Sequence, residues 1–196
     1  MEKTTEKKKF FTVYRMAVIG LMAALVFVCT FLHIDIATPM GKTMIHFGNI
    51  MSLLTGLLFG PLTGGLAAGI GSAIYDLMDP VFAPEFWITF IMKFAMGFVA
   101  GLIAHGAKAK GQNKARNIVA AVVAAVTYVA LYGLKTVIMQ RFVMGAVWEA
   151  VLPVLVTKVS VSSLNAVIAS VCSILLCLAL RRPLEAAGVF SKLEQE

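Results

Sequence analysis

Six long apolar segments, bounded by charged residues, Pro or Gly, account for most of the sequence. A bilayer core about 30 Å thick needs roughly 20 apolar residues per helix, and breaks between helices fall at the interfaces because lipid tolerates no unpaired backbone. With 60% hydrophobic and 14% charged residues, the chain lacks the polar surface of a soluble domain. The sequence therefore predicts an all-α integral membrane protein with six transmembrane helices. The predicted segments are 13–32, 44–59, 62–77, 86–105, 118–143 and 148–180.

The distribution of charge predicts the orientation of these helices. Twelve Lys and Arg and five Asp and Glu fall on the side of the two termini, and five basic and five acidic residues make up the remainder. The net charge of +7 therefore lies wholly on one side, and cytoplasmic loops collect basic residues. We expect one membrane domain, 1–196, with a cytoplasmic N-terminal segment, 1–12, and a cytoplasmic C-terminal tail, 183–196.

Small residues repeat every four positions on the first, third and fourth segments. Such repeats let helix backbones approach closely in a membrane. On the third and fourth segments we interpret them as internal packing, whereas Gly20 and Ala24 on the first fit either internal packing or contact with a separate membrane subunit. The internal repeats are Gly64-Ala68-Ser72, Gly65-Gly69-Ala73 and Gly97-Gly101.

Charged and polar residues at membrane depth gather in the half of the bundle that the predicted orientation places outside. Lys93, Lys135 and Lys158 lie on three different helices, and intramembrane charges usually mark a pathway or a site. The pattern predicts a cup that opens to the exterior. Other polar residues share its depth or its helix faces: His46, Asn49, Asp76, Thr89, Tyr128, Tyr132, Ser162 and Asn165.

Structural roles for the same side chains remain open on the sequence alone. Any one lysine fits a snorkelling side chain or a structural pair with Asp76. Asn49 and Asn165 fit hydrogen bonds between helices, and the tyrosines fit an aromatic belt at the interface.

Several chemistries are not supported by any motif. The chain contains no GxxxxGK[ST] phosphate loop, no HExxH, no GxSxG, no metal-ligand spacing and no basic groove for nucleic acid. We therefore expect a binding subunit rather than an enzyme. A stand-alone secondary transporter or channel, and a membrane scaffold with structurally paired lysines, are the alternatives.

The sequence resembles the S components of energy-coupling factor transporters, the bacterial vitamin importers. The resemblance covers nearly the whole chain, and Pro84, Lys93 and Gly97 add to it. It is carried by RMAVIGLMAAL at 15–25, HFGN at 46–49, and LLFGPLTGGLAAGIG at 57–71 followed by Ser72 and Asp76.

The resemblance implies a multi-pass protein of the bacterial cell membrane that captures a water-soluble vitamin or precursor from outside. A membrane coupling subunit and two cytoplasmic ATPases would drive its release, so this chain itself would need no cofactor. Gly20 and Ala24 occupy the family's docking positions, although Gly20 stands where the family often has Ala. The loop 34–43 would close over the ligand. Ligand contacts carried over are Lys93, Tyr132, Lys135, Lys158 and Asn165, with His46, Asn49 and Asp76 beside them.

The residues constrain the ligand only broadly. Three lysines near the cup, against Asp76 and with Glu149 at the rim, favour acidic or strongly accepting oxygens. Pantothenate, a pyridoxine-type ring and a hydroxymethylpyrimidine all fit, and the sequence does not rank them.

Overall fold

A computed structural model of the chain describes residues 11–38 and 41–195, with side chains through residue 193. The expected N-terminal segment, 1–12, lies outside this part apart from its last two residues. The described chain is mostly helical, with one antiparallel strand pair. The elements are α1 (Val13–Phe31), β1 (His33–Thr38), β2 (Gly41–His46), α2 (Gly48–Phe59), α3 (Pro61–Met78), α4 (Phe86–His105), α5 (Lys114–Val137), α6 (Trp148–Ala186) and α7 (Val189–Gln195).

The apolar segments match the helices closely where polar residues end them sharply. The fourth segment coincides with α4, the first ends one residue after α1, and the third is one residue shorter than α3 at each end. The fifth begins four residues earlier than expected, and its last part, Ile138–Val143, is a π-helix. The sixth continues to Ala186, so part of the expected C-terminal tail is helical.

The chain between α1 and α2 forms a β-hairpin. Ile34 pairs with Ile45 and Asp35 with Met44, and Thr38 and Gly41 are the last pair towards the turn. The expected second helix therefore begins at Gly48 and not at 44, because residues 44–46 belong to β2. The all-α prediction was wrong for this one element.

The hairpin lies at one end of the helix bundle, here called the hairpin end. Lys42 contacts Asp79 just after α3, and Thr43 contacts Tyr132 near the end of α5. The opposite end, here called the termini end, holds the start of α1, where Arg15 donates to the Leu193 carbonyl in α7 at 2.9 Å.

Glycines bring α2, α3 and α4 into backbone contact. A Cβ added to Gly56 would collide with the Gly97 carbonyl, and one on Gly97 would collide with the Gly64 carbonyl. Gly101 lies equally close to the backbone of Gly60 and Pro61. The repeats on the third and fourth segments therefore serve internal packing, as the spacing predicts.

The Gly60-Pro61 turn joins α2 to α3. Gly60 has φ +86°, a conformation that L side chains rarely adopt, and Pro61 is the first residue of α3, where its missing N–H leaves no helical bond unmade.

Four helical segments of the described chain are long and apolar enough to cross a bilayer: Val13–Phe31, Ala83–Lys108, Lys114–Val143 and Trp148–Ala186. Helix α2 has only 12 residues, about 18 Å of helix against a core of roughly 30 Å. Its first residues, Gly48 and Asn49, are already buried. The six-span count and the cytoplasmic termini therefore stay predictions.

Candidate functional site

A small polar cavity lies under the hairpin. Its volume is about 50 Å³. Its lining comes from five helices, α1, α3, α4, α5 and α6, together with β2 and the α3–α4 loop. Its lining residues are Thr30, Thr43, Met44, His46, Ser72, Asp76, Phe82, Thr89, Lys93, Tyr128, Tyr132, Lys135, Ser162 and Asn165.

The cavity unites most of the predicted site. Six of the eight expected ligand-contact residues line it, and Asn49 touches it indirectly as a partner of Lys93. Lys158 does not reach it and lines a neighbouring pocket instead. The six are His46, Asp76, Lys93, Tyr132, Lys135 and Asn165.

Lys93 is the most deeply buried charge in the cavity, with 3% of its surface exposed. Its ammonium donates a hydrogen bond to Asn49 Oδ1 and lies 4.1 Å from the centre of the Tyr128 ring. Among the described residues it forms no ion pair with a carboxylate, so the alternative of a structural pair with Asp76 does not hold for this lysine. With one hydrogen bond and one aromatic contact, the ammonium group has N–H donors left for another partner.

Asp76 lies at the last turn of α3 and is also buried, with 6% exposed. Thr89 on α4 lines the same cavity. Since no ion pair involves Asp76 within the described part of the chain, the cavity presents separate anionic and cationic groups.

Lys135 pairs with Glu85, a residue just before α4 that was not among the expected site residues. The Lys135 ammonium also lies 5.6 Å from the Tyr132 ring centre. Tyr128 and Tyr132 stack with centroids 5.9 Å apart, so α5 presents a continuous aromatic face beside the lysines. An aromatic belt at the lipid interface is therefore not their role, because Tyr128 is 8% exposed and faces inward.

Asn165 fastens β2 to α6. Its Nδ2 donates to the Met44 carbonyl at 2.7 Å, and its Oδ1 accepts from the His46 backbone N–H at 3.1 Å. Both the N–H and the oxygen of the amide therefore bond to the strand. In this structure Asn165 anchors the hairpin, and its amide is not free to contact a ligand.

Two further contacts hold the hairpin down. Thr43 Oγ1 lies 3.4 Å from the Tyr132 hydroxyl, and Lys42 bridges Asp35 and Asp79 at 2.8 Å each. Hydrogen bonds to Asp35 and Asp79 raise the pKa of Lys42. Burial alone would raise the pKa of Asp79, but hydrogen bonds from Lys42 and from the Val81 N–H leave it lowered.

Three buried polar atoms in and beneath the cavity have no hydrogen-bond partner in the part of the chain that the structure describes. They are His46 Nδ1, Ser162 Oγ and Asn49 Nδ2. A buried polar group without a partner costs about 1–3 kcal/mol, so this unused capacity favours a polar guest.

Some lining residues were not among the eight expected ligand contacts. Thr89, Tyr128 and Ser162 share faces with predicted residues, and that shared face was an available signal. Thr30 and Ser72 are single small polar residues in apolar runs, whereas Thr43, Met44 and Phe82 come from the hairpin and a loop, whose tertiary position no local pattern gives.

Comparison with protein families identifies the chain. The family model described as ECF-type riboflavin transporter, S component, matches residues 10–182. The chain belongs to this family of S components. The resemblance stated from the sequence motifs is thereby confirmed, and with it a transmembrane role in vitamin uptake; the family is a transporter component and not an enzyme family.

Known structures support the fold of this S component. A solved structure described as "Structure and mechanism of the S component of a bacterial ECF transporter" aligns with a TM-score of 0.53 and 20% identity, and covers 88% of this chain and 95% of that chain. At this identity the likeness concerns the fold. A comparison with curated proteins found no match.

The small pair on α1 of this S component does not pack inside the described bundle. Gly20 and Ala24 are both exposed, and a Cβ on Gly20 would meet nothing within 4 Å. The internal-packing alternative for this pair is therefore wrong. Leu21 and Val28 extend the same exposed apolar surface of the helix.

Proposed function

We propose that this S component captures a water-soluble vitamin or vitamin precursor from outside the cell in the cavity under the hairpin. An ATP-driven module, made of a membrane coupling subunit and two cytoplasmic ATPases, then drives its delivery inward. Membership of the S-component family supports the transport role.

One observation carries the assignment of the site. Among the described residues, the cavity holds a buried lysine and a buried aspartate without ion pairs, together with buried polar atoms without hydrogen-bond partners, and such groups are costly to maintain without a guest. Membrane-embedded charges of this kind are usually functional. The site residues that we propose for ligand contact are His46, Asp76, Lys93, Tyr132 and Lys135, with Asn49 supporting Lys93.

The ligand class follows from these groups. Lys93 and Lys135 favour an accepting or acidic oxygen, Asp76 favours an O–H or N–H donor, and the stacked tyrosines favour a flat ring. The family description names riboflavin, so riboflavin joins pantothenate, pyridoxine-type rings and hydroxymethylpyrimidine as a candidate. A cavity of about 50 Å³ holds only one or two waters, so any of these requires the surrounding groups to move apart.

The exposed small face of α1 supports a docking role for Gly20 and Ala24. Small residues on a lipid-facing surface let a partner helix approach closely. We infer that the coupling subunit docks here, with the hairpin end outside and both termini in the cytoplasm.

The function is tested by purifying the chain alone in mild detergent and identifying retained small molecules by mass spectrometry. Equilibrium binding of the retained compound, and of the four candidate vitamins, then gives the affinity. We expect one vitamin bound one-to-one at sub-micromolar concentration. Uptake of that vitamin into liposomes by this chain alone, without ATPase subunits, would contradict the dependence on a partner module.

A further inference from the structure

A second pocket adjoins the cavity at the hairpin end, here called the vestibule. Its volume is about 400 Å³, eight times that of the cavity. Phe82 lines both spaces, so its side chain forms part of the wall between them. The vestibule residues are Gly41, Lys42, Val81, Phe82, Glu85, Gln140, Met144 and Lys158.

The Lys135–Glu85 ion pair crosses the same wall. Lys135 lines the cavity and Glu85 lines the vestibule, and 18% of the Glu85 side chain is exposed. The wall therefore includes an aromatic ring and an ion pair between two side chains. The hairpin, in contrast, is held by anchors to α5, α6 and the α3–α4 loop.

The vestibule has binding groups of its own. Lys158 forms no ion pair with any residue that the structure describes, and Gln140 is 4% exposed with an Oε1 that lacks a partner. The π-helix positions Gln140, whose backbone carbonyl accepts from the Ala146 N–H at 3.0 Å. Single π turns occur frequently at functional sites. A cation and a buried acceptor together suit a ligand with an accepting or anionic oxygen and an O–H or N–H donor.

We propose that the vestibule is a separate capture site, in which Lys158 and Gln140 hold the ligand before it passes Phe82 and the Lys135–Glu85 pair into the cavity. This inference rests on the proposed function. On entry, the accepting oxygen of the ligand leaves Lys158 and replaces the Glu85 carboxylate as the partner of Lys135. The route explains why Lys158 lies at the depth of the other lysines yet outside the cavity.

Thiol accessibility tests the route without any vitamin. In full-length protein with Cys29, Cys172 and Cys177 replaced by Ala, a reporter cysteine is placed in the vestibule (Gln140→Cys) or in the cavity (Ser162→Cys). Anionic sulfonatoethyl and cationic trimethylammonioethyl methanethiosulfonates are added, and intact mass follows the reaction. Met144→Cys is a second vestibule reporter if Gln140→Cys does not fold.

The wall makes a specific prediction for the cavity reporter. Ser162→Cys should react at least tenfold more slowly than the vestibule reporter, and Phe82→Ala or Glu85→Gln should raise its rate at least tenfold. Phe142→Ala, an exposed phenylalanine of the π-helix, is the matched control and should leave the rate unchanged. If both wall variants leave the rate unchanged, the ligand does not enter through this wall. The same conclusion follows if the rate rises only in Asp79→Asn, which removes the Lys42–Asp79 anchor of the hairpin.

Charge selectivity tests the capture site itself. The vestibule reporter should prefer the anionic reagent, and Lys158→Met should lower the anion-to-cation rate ratio at least threefold, whereas Lys192→Met on α7 should not. An unchanged ratio would overturn the capture role of Lys158. Because neither assay uses a vitamin, failure here leaves the vitamin-binding measurement to decide the proposed function separately.

Discussion

At the scale of single residues, the environment of Lys93 is the most informative feature. A lysine buried to 3% exposure is held by one amide oxygen and one aromatic ring. Cation–π contacts of desolvated ammonium groups are worth about 2 kcal/mol, less than the desolvation of a charge costs. A ligand oxygen that completes the coordination of Lys93 would therefore bind with a favourable electrostatic contribution.

Replacing this lysine tests its role directly. Lys93→Met keeps the length and apolar stem of the side chain but removes the charge, so vitamin affinity should fall at least tenfold, about 1.4 kcal/mol. Equilibrium titration with the vitamin retained by the wild type gives the affinity. Lys108→Met at the termini end is the control, and equal affinities in the two variants would remove Lys93 from the site.

The sequence predicted those site residues whose charge is energetically costly in an apolar segment. Lys93, Lys135 and Asp76 are charges within or at the end of apolar helices, and the structure brings them to one cavity. Glu85 and Phe82 belong to a loop, where neither a polar nor an apolar residue is unusual. The pairing of Glu85 with Lys135 and the position of Phe82 at the cavity arise from tertiary packing, which the local sequence does not show. The commitment of Asn165 to β2 was hidden for the same reason.

At the scale of elements, the hairpin is the part that covers the cavity. The Lys42–Asp79 bridge ties its β2 strand to the α3–α4 loop. The pKa of Asp79 is lowered in the folded protein. Its contribution to the stability of the folded protein is therefore present above the unfolded pKa of about 3.9 and is lost as the pH falls through the folded pKa. The raised pKa of Lys42 keeps the bridge intact to pH values above its usual range.

We expect constant protection of the hairpin between about pH 5 and 9, once intrinsic exchange rates are corrected for. Asp79→Asn should increase hydrogen exchange of the amides in residues 33–46 severalfold at neutral pH. Hydrogen-exchange mass spectrometry measures both the variant and the wild type. Glu149→Gln near the start of α6 serves as the control, and if it loosens the hairpin as much as Asp79→Asn, the bridge is not the anchor.

The contact between α2, α3 and α4 allows a stability prediction. In Gly97→Ala the new methyl group meets the Gly64 backbone, which cannot move aside as a flexible side chain would. Overpacking of this kind costs about 1–3 kcal/mol, so thermal unfolding in detergent should occur at lower temperature. Gly20→Ala introduces the same methyl group into open space, and an equal loss of stability there would refute the packing argument.

The helices could be read from the sequence because apolar length and terminal breakers determine them, as α4 illustrates. The hairpin could not, since residues 44–46 are as apolar as a helix start and the strand exists only through pairing with β1. The π-helix at Ile138–Val143 continues the apolar pattern of α5 without a local signal.

At the scale of the whole molecule, the two candidate binding surfaces are separate. The polar cavity lies at the hairpin end, whereas the Gly20/Ala24 surface faces outward along α1. We therefore expect that a substitution can abolish partner docking without affecting ligand capture, and the reverse.

Gly20→Trp provides that separation. The indole enters open space, so folding and vitamin binding should be unchanged, while docking of the coupling subunit is blocked sterically and uptake into cells falls at least tenfold. Val167→Trp places the same side chain on the exposed face of α6 and should spare both activities. Loss of binding together with uptake in Gly20→Trp would count against a docking surface.

The central claim is that this chain alone captures a vitamin in the cavity under the hairpin. The most direct measurement is equilibrium binding of the vitamin to the purified wild type and to Asp76→Asn and Lys93→Met, without partner subunits. The account predicts a one-to-one complex at sub-micromolar concentration, with affinity reduced at least tenfold in each variant. If no vitamin binds to the isolated chain at sub-micromolar concentration, or if both variants bind as the wild type does, the claim is contradicted.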